Sequence, residues 1–465
     1  MSLTFTDIFC GAGGSSTGLV AAGYELKLAA NHWARAIETH AANHRDADHL
    51  CADINNYDMR RLPKTDILWA SPICTEISPA GGRRRTRGQI ALELEEFGSV
   101  PAAAWERTRA TAYDVIRATE VHRYKAVLCE NVVEFAVDWE LFDWWRKGME
   151  MLGYNSQIVS ASSAHIGGDD NDPAPQWRDR IYIVFTRKDI PLPDLKPTPL
   201  AWCPECGHDV PAMQSWRNGR RIGKYKQQYD YRCPNTKCRH AIVEPYIRPA
   251  ASIIDWTNLG VKIGERADHK LRPLAANTIK RIQAGLDQLG SEKAMVLTVN
   301  HGGHDGRAFP ADLRPLPART VKIGDAVLTP PAAAQSAFIV RYRRNGGADP
   351  VAHPLSTLSA RGNHHGLVIP YRNAATKTTA EPLHTVATKD SAGLLRPAPE
   401  LEDCHYRMVQ PREQLYAQRF PRDYVVHGTR PEQTMQAGNA VSCNVAQWVG
   451  SRVWHALNRT AGAAA

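Results

Sequence analysis

Cys74 stands in the stretch Ser71-Pro72-Ile73-Cys74-Thr75-Glu76, directly after the apolar run Asp66-Ile67-Leu68-Trp69-Ala70. A thiolate is a strong nucleophile, and a preceding proline restricts the backbone and tends to aim the side chain outward. A buried structural cysteine is the competing reading, because free cysteine is among the most buried residue types. A second apolar run, Lys125-Ala126-Val127-Leu128-Cys129, ends on Glu130-Asn131-Val132, which offers a carboxyl group for acid–base or hydrogen-bonding work. In Gln176-Trp177-Arg178-Asp179-Arg180 the alternation of an extended chain sends Gln176, Arg178 and Arg180 to one face. Near the start, Cys10-Gly11-Ala12-Gly13-Gly14 forms a glycine turn of the kind that lets backbone approach a nucleotide-like ligand, or simply joins a strand to a helix.

Two close cysteine pairs, Cys203-Pro204-Glu205-Cys206 and Cys233-Pro234-Asn235-Thr236-Lys237-Cys238, have the knuckle spacing of a zinc ribbon. Four unrelated thiols are the alternative. His208 and His240 are bystanders or substitute ligands. Between the pairs, Arg217, Arg220, Arg221, Lys224, Lys226 and Arg232 interleave with Trp216, Tyr225, Tyr229 and Tyr231. That mixture suits a nucleic-acid face, and equally a charged hairpin whose tyrosines pack around a structural Zn2+. The run Arg83-Arg84-Arg85-Thr86-Arg87, flanked by Gly81, Gly82 and Gly88, is a phosphate-contacting loop or a solvated one; its place just after Cys74 favours the first.

These side chains need elements to hold them. Residues 3–9, 24–30, 51–54, 66–70 and 125–129 are expected strands, with Asp53 at the carboxyl end of the third; helices are expected over 15–22, 33–43, 105–123 and 142–152. Strands at 158–161 and 180–185 follow. This alternation predicts a doubly wound parallel sheet of Rossmann-like type, which places ligands at the carboxyl ends of its strands. Pro191, Pro193, Pro197 and Pro199 mark a linker. Beyond it, a weak repeat (Val340-Arg341-Tyr342-Arg343-Arg344-Asn345 and Ile369-Pro370-Tyr371-Arg372-Asn373, each followed by a Pro-Leu turn) predicts a small β-rich region. Arg343, Asn345 and Arg372 lie at its basic tips, with types able to pair bidentately with base edges. Helices are expected again over 412–419 and 441–456.

The chain has 465 residues, 43% hydrophobic and 23% charged, and so exceeds one domain. It carries no long apolar run and no basic, apolar leader, so neither a membrane span nor an export signal is expected. With that, its ten cysteines are expected to be reduced thiols in a cytoplasmic protein. The net charge of +9 suits a polyanionic partner.

Taken together, the motifs resemble those of the DNA (cytosine-5) methyltransferases. Asp7-Ile8-Phe9-Cys10-Gly11-Ala12-Gly13-Gly14 looks like their cofactor motif, Pro72-Ile73-Cys74 stands where they carry Pro-Pro-Cys, and Glu130-Asn131-Val132 and Gln176-x-Arg178-x-Arg180 match theirs. Gln410-Pro411-Arg412-Glu413 and Gly438-Asn439-Ala440-Val441 look like the last two motifs, and all occur in the family's order. The Ser-Pro-x-Cys-Thr form most resembles a branch common among phages and their bacterial hosts.

The resemblance implies transfer of a methyl group from S-adenosyl-L-methionine to C5 of a flipped-out cytosine in double-stranded DNA. Cys74 would add at C6, Glu130 would hold the base at N3 and the exocyclic amine, and Arg180 would grip O2 with Arg178 beside it. The cofactor would lie over Phe9, Gly11, Gly13 and Gly14, with Asp53 near its adenine and Asn439 and Val441 closing the pocket. His32, with Trp33 beside it, stands where the family carries a ribose-binding Glu, and Thr75 where it carries Gln. The resemblance implies catalytic segments over 1–190 and 405–460 and a target recognition domain over 249–400; the cysteine spacing places the zinc ribbon over 200–248, and the chain is expected to be monomeric. Methylation of transfer RNA, and an inactive DNA binder, are the alternatives.

Overall fold

The computed structural model describes residues 2–72, 102–219, 221–289, 295–298, 307–317, 325–329, 338–341, 348–350, 365–367 and 401–462. Contacts divide the chain into two units, one of Met1–Ile254, Leu313–Gly324 and Val409–Ala465, the other of Asp255–Asp312 and Asp325–Met408. Among the described residues no helix is long and apolar enough to cross a membrane.

The first unit is built on seven strands: β1 (Thr4–Ile8), β2 (Glu25–Asn31), β3 (Asp48–Cys51), β4 (Ile67–Ala70), β5 (Ala126–Asn131), β6 (Tyr154–Ser162) and β7 (Asp179–Arg187). Their order is β3-β2-β1-β4-β5-β7-β6, with β1 to β5 parallel and β7 antiparallel to both of its neighbours. The period of two divides each central strand between two cores. Ile67 and Trp69 of β4, Ala126 and Leu128 of β5, and Tyr182 and Val184 of β7 join the core on one face. Leu68, Ala70, Val127, Cys129, Ile183 and Phe185 join the other. Both faces are thus covered, which is why these strands read as unbroken apolar runs.

Helices α1 (Gly14–Ala21) and α2 (Ala34–Asn43) follow β1 and β2, and α3 (Ala102–His122), α4 (Val133–Val137) and α5 (Phe142–Met151) flank β5. Trp145 of α5 is fully buried and donates from its indole to the Ala112 carbonyl at 2.8 Å. Full burial of one such side chain contributes roughly 1.5–3 kcal/mol.

Two expectations shift. The third strand runs over Asp48–Cys51 and not 51–54, and Asp53 instead caps a short 3-10 turn, Ile54–Asn56, by accepting the Asn55 N–H at 3.1 Å. A short carboxylate that bonds the local backbone competes with extension of the strand. The proline-rich stretch 191–199 is irregular, but Leu195 within it is buried in the sheet's core, so it lies as a strap on the fold.

In the second unit, α6 (Ala276–Leu289) packs Ile282 and Leu286 against an antiparallel sheet. Its strand order is Val261–Lys262, His405–Met408, Asp325–Thr329, Met295–Thr298, Ala308–Pro310. A further sheet sets Phe338–Arg341 between Ala348–Pro350 and His365–Leu367. The first unit closes with α7 (Pro411–Tyr416), α8 (Arg430–Asn439) and α9 (Cys443–Gly462).

Candidate active site

The glycine turn leaves β1 through Phe9, whose φ of 64° is unusual for a bulky residue. Gly13, at φ 94°, adopts a left-handed geometry that glycine alone takes without strain, and a side chain there would strike Tyr424 and His40. A Cβ on Gly14 would overlap the Val441 carbonyl, so this glycine permits the Gly438-Asn439-Ala440-Val441 segment to lie against the turn. Beneath, Asp7 is wholly buried and accepts from the hydroxyls of Ser15 (2.6 Å) and Ser16 (2.7 Å), which pins the first turn of α1. Burial raises the Asp7 carboxyl to about 7, against the lowering effect of the two serines.

The residues around the turn fit a nucleoside-bearing cofactor. The space beside the Cα of Gly11 is open, with no atom of the described residues within 4 Å of where a Cβ would stand. Asp53 presents an exposed carboxyl just beyond β3, and His32 is exposed just beyond β2. Trp33 caps α2 and donates its N–H to Asn31 Oδ1 at 3.0 Å. Phe9, His32 and Asp53 therefore follow three neighbouring strands at the same edge of the sheet. Asn439 ends α8 exposed, while Val441 is buried in the core beside α9.

On the other side of β1 the edge continues through β4, β5 and β7. Because β7 is antiparallel, its first residues lie beside the last residues of β5, in the register Asn131↔Ile181. Arg180 Nε lies 3.2 Å from Glu130 Oε1, both side chains nearly buried. Asn131 donates from Nδ2 to the Pro72 carbonyl at 3.1 Å, holding the chain at the end of β4. Arg178 precedes β7 and turns elsewhere: its guanidinium donates to the carbonyls of Ala440 (2.7 Å) and Gly438 (3.4 Å). Gln176 is buried, and Trp177 N–H donates to the Leu316 carbonyl at 2.6 Å. The two arginines of one motif thus serve different partners. Cys74, Thr75, the arginines Arg83, Arg84, Arg85 and Arg87, and the tip residues Arg343, Asn345 and Arg372 lie outside the described residues.

The paired cysteines meet: the Sγ atoms of Cys203, Cys206, Cys233 and Cys238 lie within 4.8 Å of one another. Asn235 donates its N–H to Cys233 Sγ (3.5 Å) and its Nδ2 to Cys206 Sγ (3.4 Å), bonds that favour thiolates. Of the interleaved cations, Arg217 pairs with Asp230 at 2.7 Å, Lys226 with Glu244 at 2.6 Å and Lys224 with Glu134 at 2.7 Å. Tyr229 and Tyr231 are fully buried in the ribbon core. Arg217 and Lys226 thus pair within the ribbon and Lys224 with α4, while the tyrosines pack in the ribbon core.

Sequence reasoning missed the roles of Asp7, Asn131, Asp179 and Leu316. Asp7, Asn131 and Asp179 stood inside quoted motifs; Leu316 carried no local signal.

A doubly wound sheet with a glycine cradle at the end of its first strand and a carboxylate–guanidinium pair across β5 and β7 defines a Rossmann-like enzyme class. The chain belongs to the C-5 cytosine-specific DNA methylase family, whose model matches residues 3–455. It is 28% identical over 188 residues to the Type II methyltransferase M.AgeI of Thalassovita gelatinovora, a match covering 38% of this chain and 38% of that protein's length. It is 32% identical over 92 residues to the Type II methyltransferase M.HgiGI of Herpetosiphon aurantiacus, covering 19% of this chain and 73% of the relative. Among solved structures, a mutant of Spodoptera frugiperda DNMT2 aligns over 98% of this chain and 100% of its own, at 13% identity and a TM-score of 0.49.

Proposed function

We propose that this protein methylates C5 of cytosine in double-stranded DNA through a covalent Cys74 adduct on a flipped-out base. The observation that carries the reading is the Glu130–Arg180 pair at 3.2 Å, at the strand ends where Asn131 also holds Pro72. S-adenosylmethionine, when bound, supplies the methyl group. Phe9, Gly11, Gly13 and Gly14 would cradle it, with His32, Trp33 and Asp53 along one side and Asn439 and Val441 along the other.

Cytosine C5 is a poor nucleophile. Addition of the Cys74 thiolate at C6 would give C5 enamine character, so that C5 could take up the methyl group the cofactor supplies; loss of the C5 proton to a base and elimination of the Cys74 thiolate from C6 would then restore the ring. Glu130 would hold N3 and the exocyclic amine of the base, and Arg180 its O2. A free Glu130–Arg180 ion pair is pre-set for this: the base exchanges one partner of each group for its own polar edge. Arg178 acts through Gly438 and Ala440, steadying the segment that closes the cofactor side. Cys203, Cys206, Cys233 and Cys238 would hold a structural Zn2+, and the region 249–400 would read the sequence around the target.

The test is bisulfite sequencing of DNA from cells expressing the protein, with purified enzyme offered DNA and transfer RNA in parallel. Methylated cytosine at a defined DNA sequence, and a covalent complex with 5-fluorocytosine DNA that Cys74→Ala does not form, are expected. Methylation of transfer RNA alone, or an active enzyme that forms no such complex, would overturn the reading.

A further inference from the structure

The loop joining the two cysteine knuckles reaches out of the ribbon and grips the sheet. Gly223 donates its N–H to Ser160 Oγ (3.1 Å) and Gln214 its Nε2 to the Ser160 carbonyl (2.8 Å), both on β6. Tyr225 donates its N–H to Asp179 Oδ1 at 3.1 Å, at the start of β7. Lys224 Nζ meets Glu134 Oε1 at 2.7 Å in the first turn of α4. The Tyr225 ring also stands edge-on to buried His165, with centroids 4.5 Å apart. Two of these anchors flank the base-holding pair in sequence: Asp179 immediately precedes Arg180, and Glu134 opens the helix that follows Glu130-Asn131-Val132.

We propose that this ribbon loop positions the Glu130–Arg180 pair, with Lys224 and the Tyr225 N–H as the positioning groups. The inference rests on the reading above, in which that pair holds the cytosine. Its electrostatic logic is local. Glu134 is buried and Asp179 half-buried, and Asp179 feels Lys224, Arg180 and Glu134 together. With Lys224 in place, Glu134 is neutralised and Arg180 remains oriented on Glu130. Without it, the Glu134 carboxylate is left uncompensated close to Asp179, and its charge competes with Glu130 for the Arg180 guanidinium. The Tyr225 N–H fixes Asp179, and so sets the strand position from which Arg180 departs. A metal held by the four cysteines would give the loop a rigid base and make it a fixed strut.

The test compares the zinc-loaded full-length protein with Lys224→Met and Lys224→Arg. Turnover on DNA should fall by roughly ten- to a hundredfold in Lys224→Met, as a small misplacement of catalytic groups does. S-adenosylmethionine affinity and DNA affinity should stay unchanged, and Lys224→Arg should recover most of the rate. Hydrogen exchange should quicken in peptides covering 130–134 and 178–182 and not in those covering α1. If Lys224→Met unfolds the ribbon, Glu134→Gln, which breaks the same ion pair from the other side, should give the same local change in exchange. Unchanged exchange and turnover in these variants would overturn the inference. A wild type that transfers no methyl group would instead overturn the reading of Glu130 and Arg180, while exchange still decides whether the loop steadies them.

Discussion

Asn131 and Pro72 are 59 positions apart in the chain, yet the Asn131 amide donates to the Pro72 carbonyl at 3.1 Å while its own Oδ1 accepts the Val132 N–H at 2.8 Å. One side chain thereby staples the end of β5 to the chain leaving β4, two residues before Cys74. Asn131→Ala should leave a buried carbonyl unpaired, at a cost of about 1–3 kcal/mol. Turnover and the rate of 5-fluorocytosine adduct formation should fall with S-adenosylmethionine affinity unchanged. Equal adduct rates in mutant and wild type would remove the staple from the argument.

Arg178 and Arg180 should separate in their phenotypes. Arg178→Lys loses the fork that spans the Gly438 and Ala440 carbonyls, so it should lower the melting temperature and weaken cofactor binding. Arg180→Lys should lower turnover and leave cofactor affinity intact. Calorimetric titration and thermal melts of both variants decide this, and matching behaviour would contradict the division.

Purified protein should carry about one zinc per chain, with Zn–S distances near 2.3 Å by X-ray absorption. Cys203→Ser or Cys233→Ser should release it and loosen the segment 200–248. A wild type that is folded, active and free of metal would refute the site.

His165 gives a pH prediction. Its ring is buried against Trp177, Tyr225 and Tyr231, neither nitrogen has a hydrogen-bond partner among the described residues, and burial pushes its pKa down to about 3. The unfolded chain therefore takes up a proton near pH 6.5 that the folded chain refuses. A depressed folded pKa contributes stability that is present above 6.5 and lost as pH falls toward 3. His165→Phe keeps a ring and removes the proton site, so its urea midpoint should fall less than that of wild type between pH 6.5 and 3. Parallel pH curves would show that His165 is not the titrating group.

Recognition should divide from general affinity. Substitutions at Arg343, Asn345 and Arg372 should relax or alter the methylated sequence, since a lost bidentate base contact removes about 1–3 kcal/mol of discrimination. Substitutions across Arg83, Arg84, Arg85 and Arg87 should weaken all sequences alike and flatten the salt dependence. An unchanged set of methylated sites after the first group of substitutions would end the role assigned to those tips.

The sequence by itself determined much of the frame. The apolar runs 66–70 and 125–129 are legible because a strand covered on both faces must be apolar throughout, and β4 and β5 do divide residue by residue between two cores. The motifs were legible because turns and strand ends demand particular types locally: glycine where φ is positive, and paired cysteines where a knuckle can fold.

Only the tertiary structure decided who partners whom. Nothing near Arg178 announces carbonyls 260 and 262 positions away, and nothing near Lys224 announces Glu134. Periodicity reports which face is buried, not which distant chain covers it. The same limit explains Asp53: its place after an expected strand marked the residue, but a three-residue turn won over the strand because its carboxylate satisfied a backbone N–H at once. It also explains the ribbon, whose basic and aromatic residues looked alike in sequence whether they faced nucleic acid or each other. The acids that pair with them, Asp230, Glu244 and Glu134, come together only when the chain is folded.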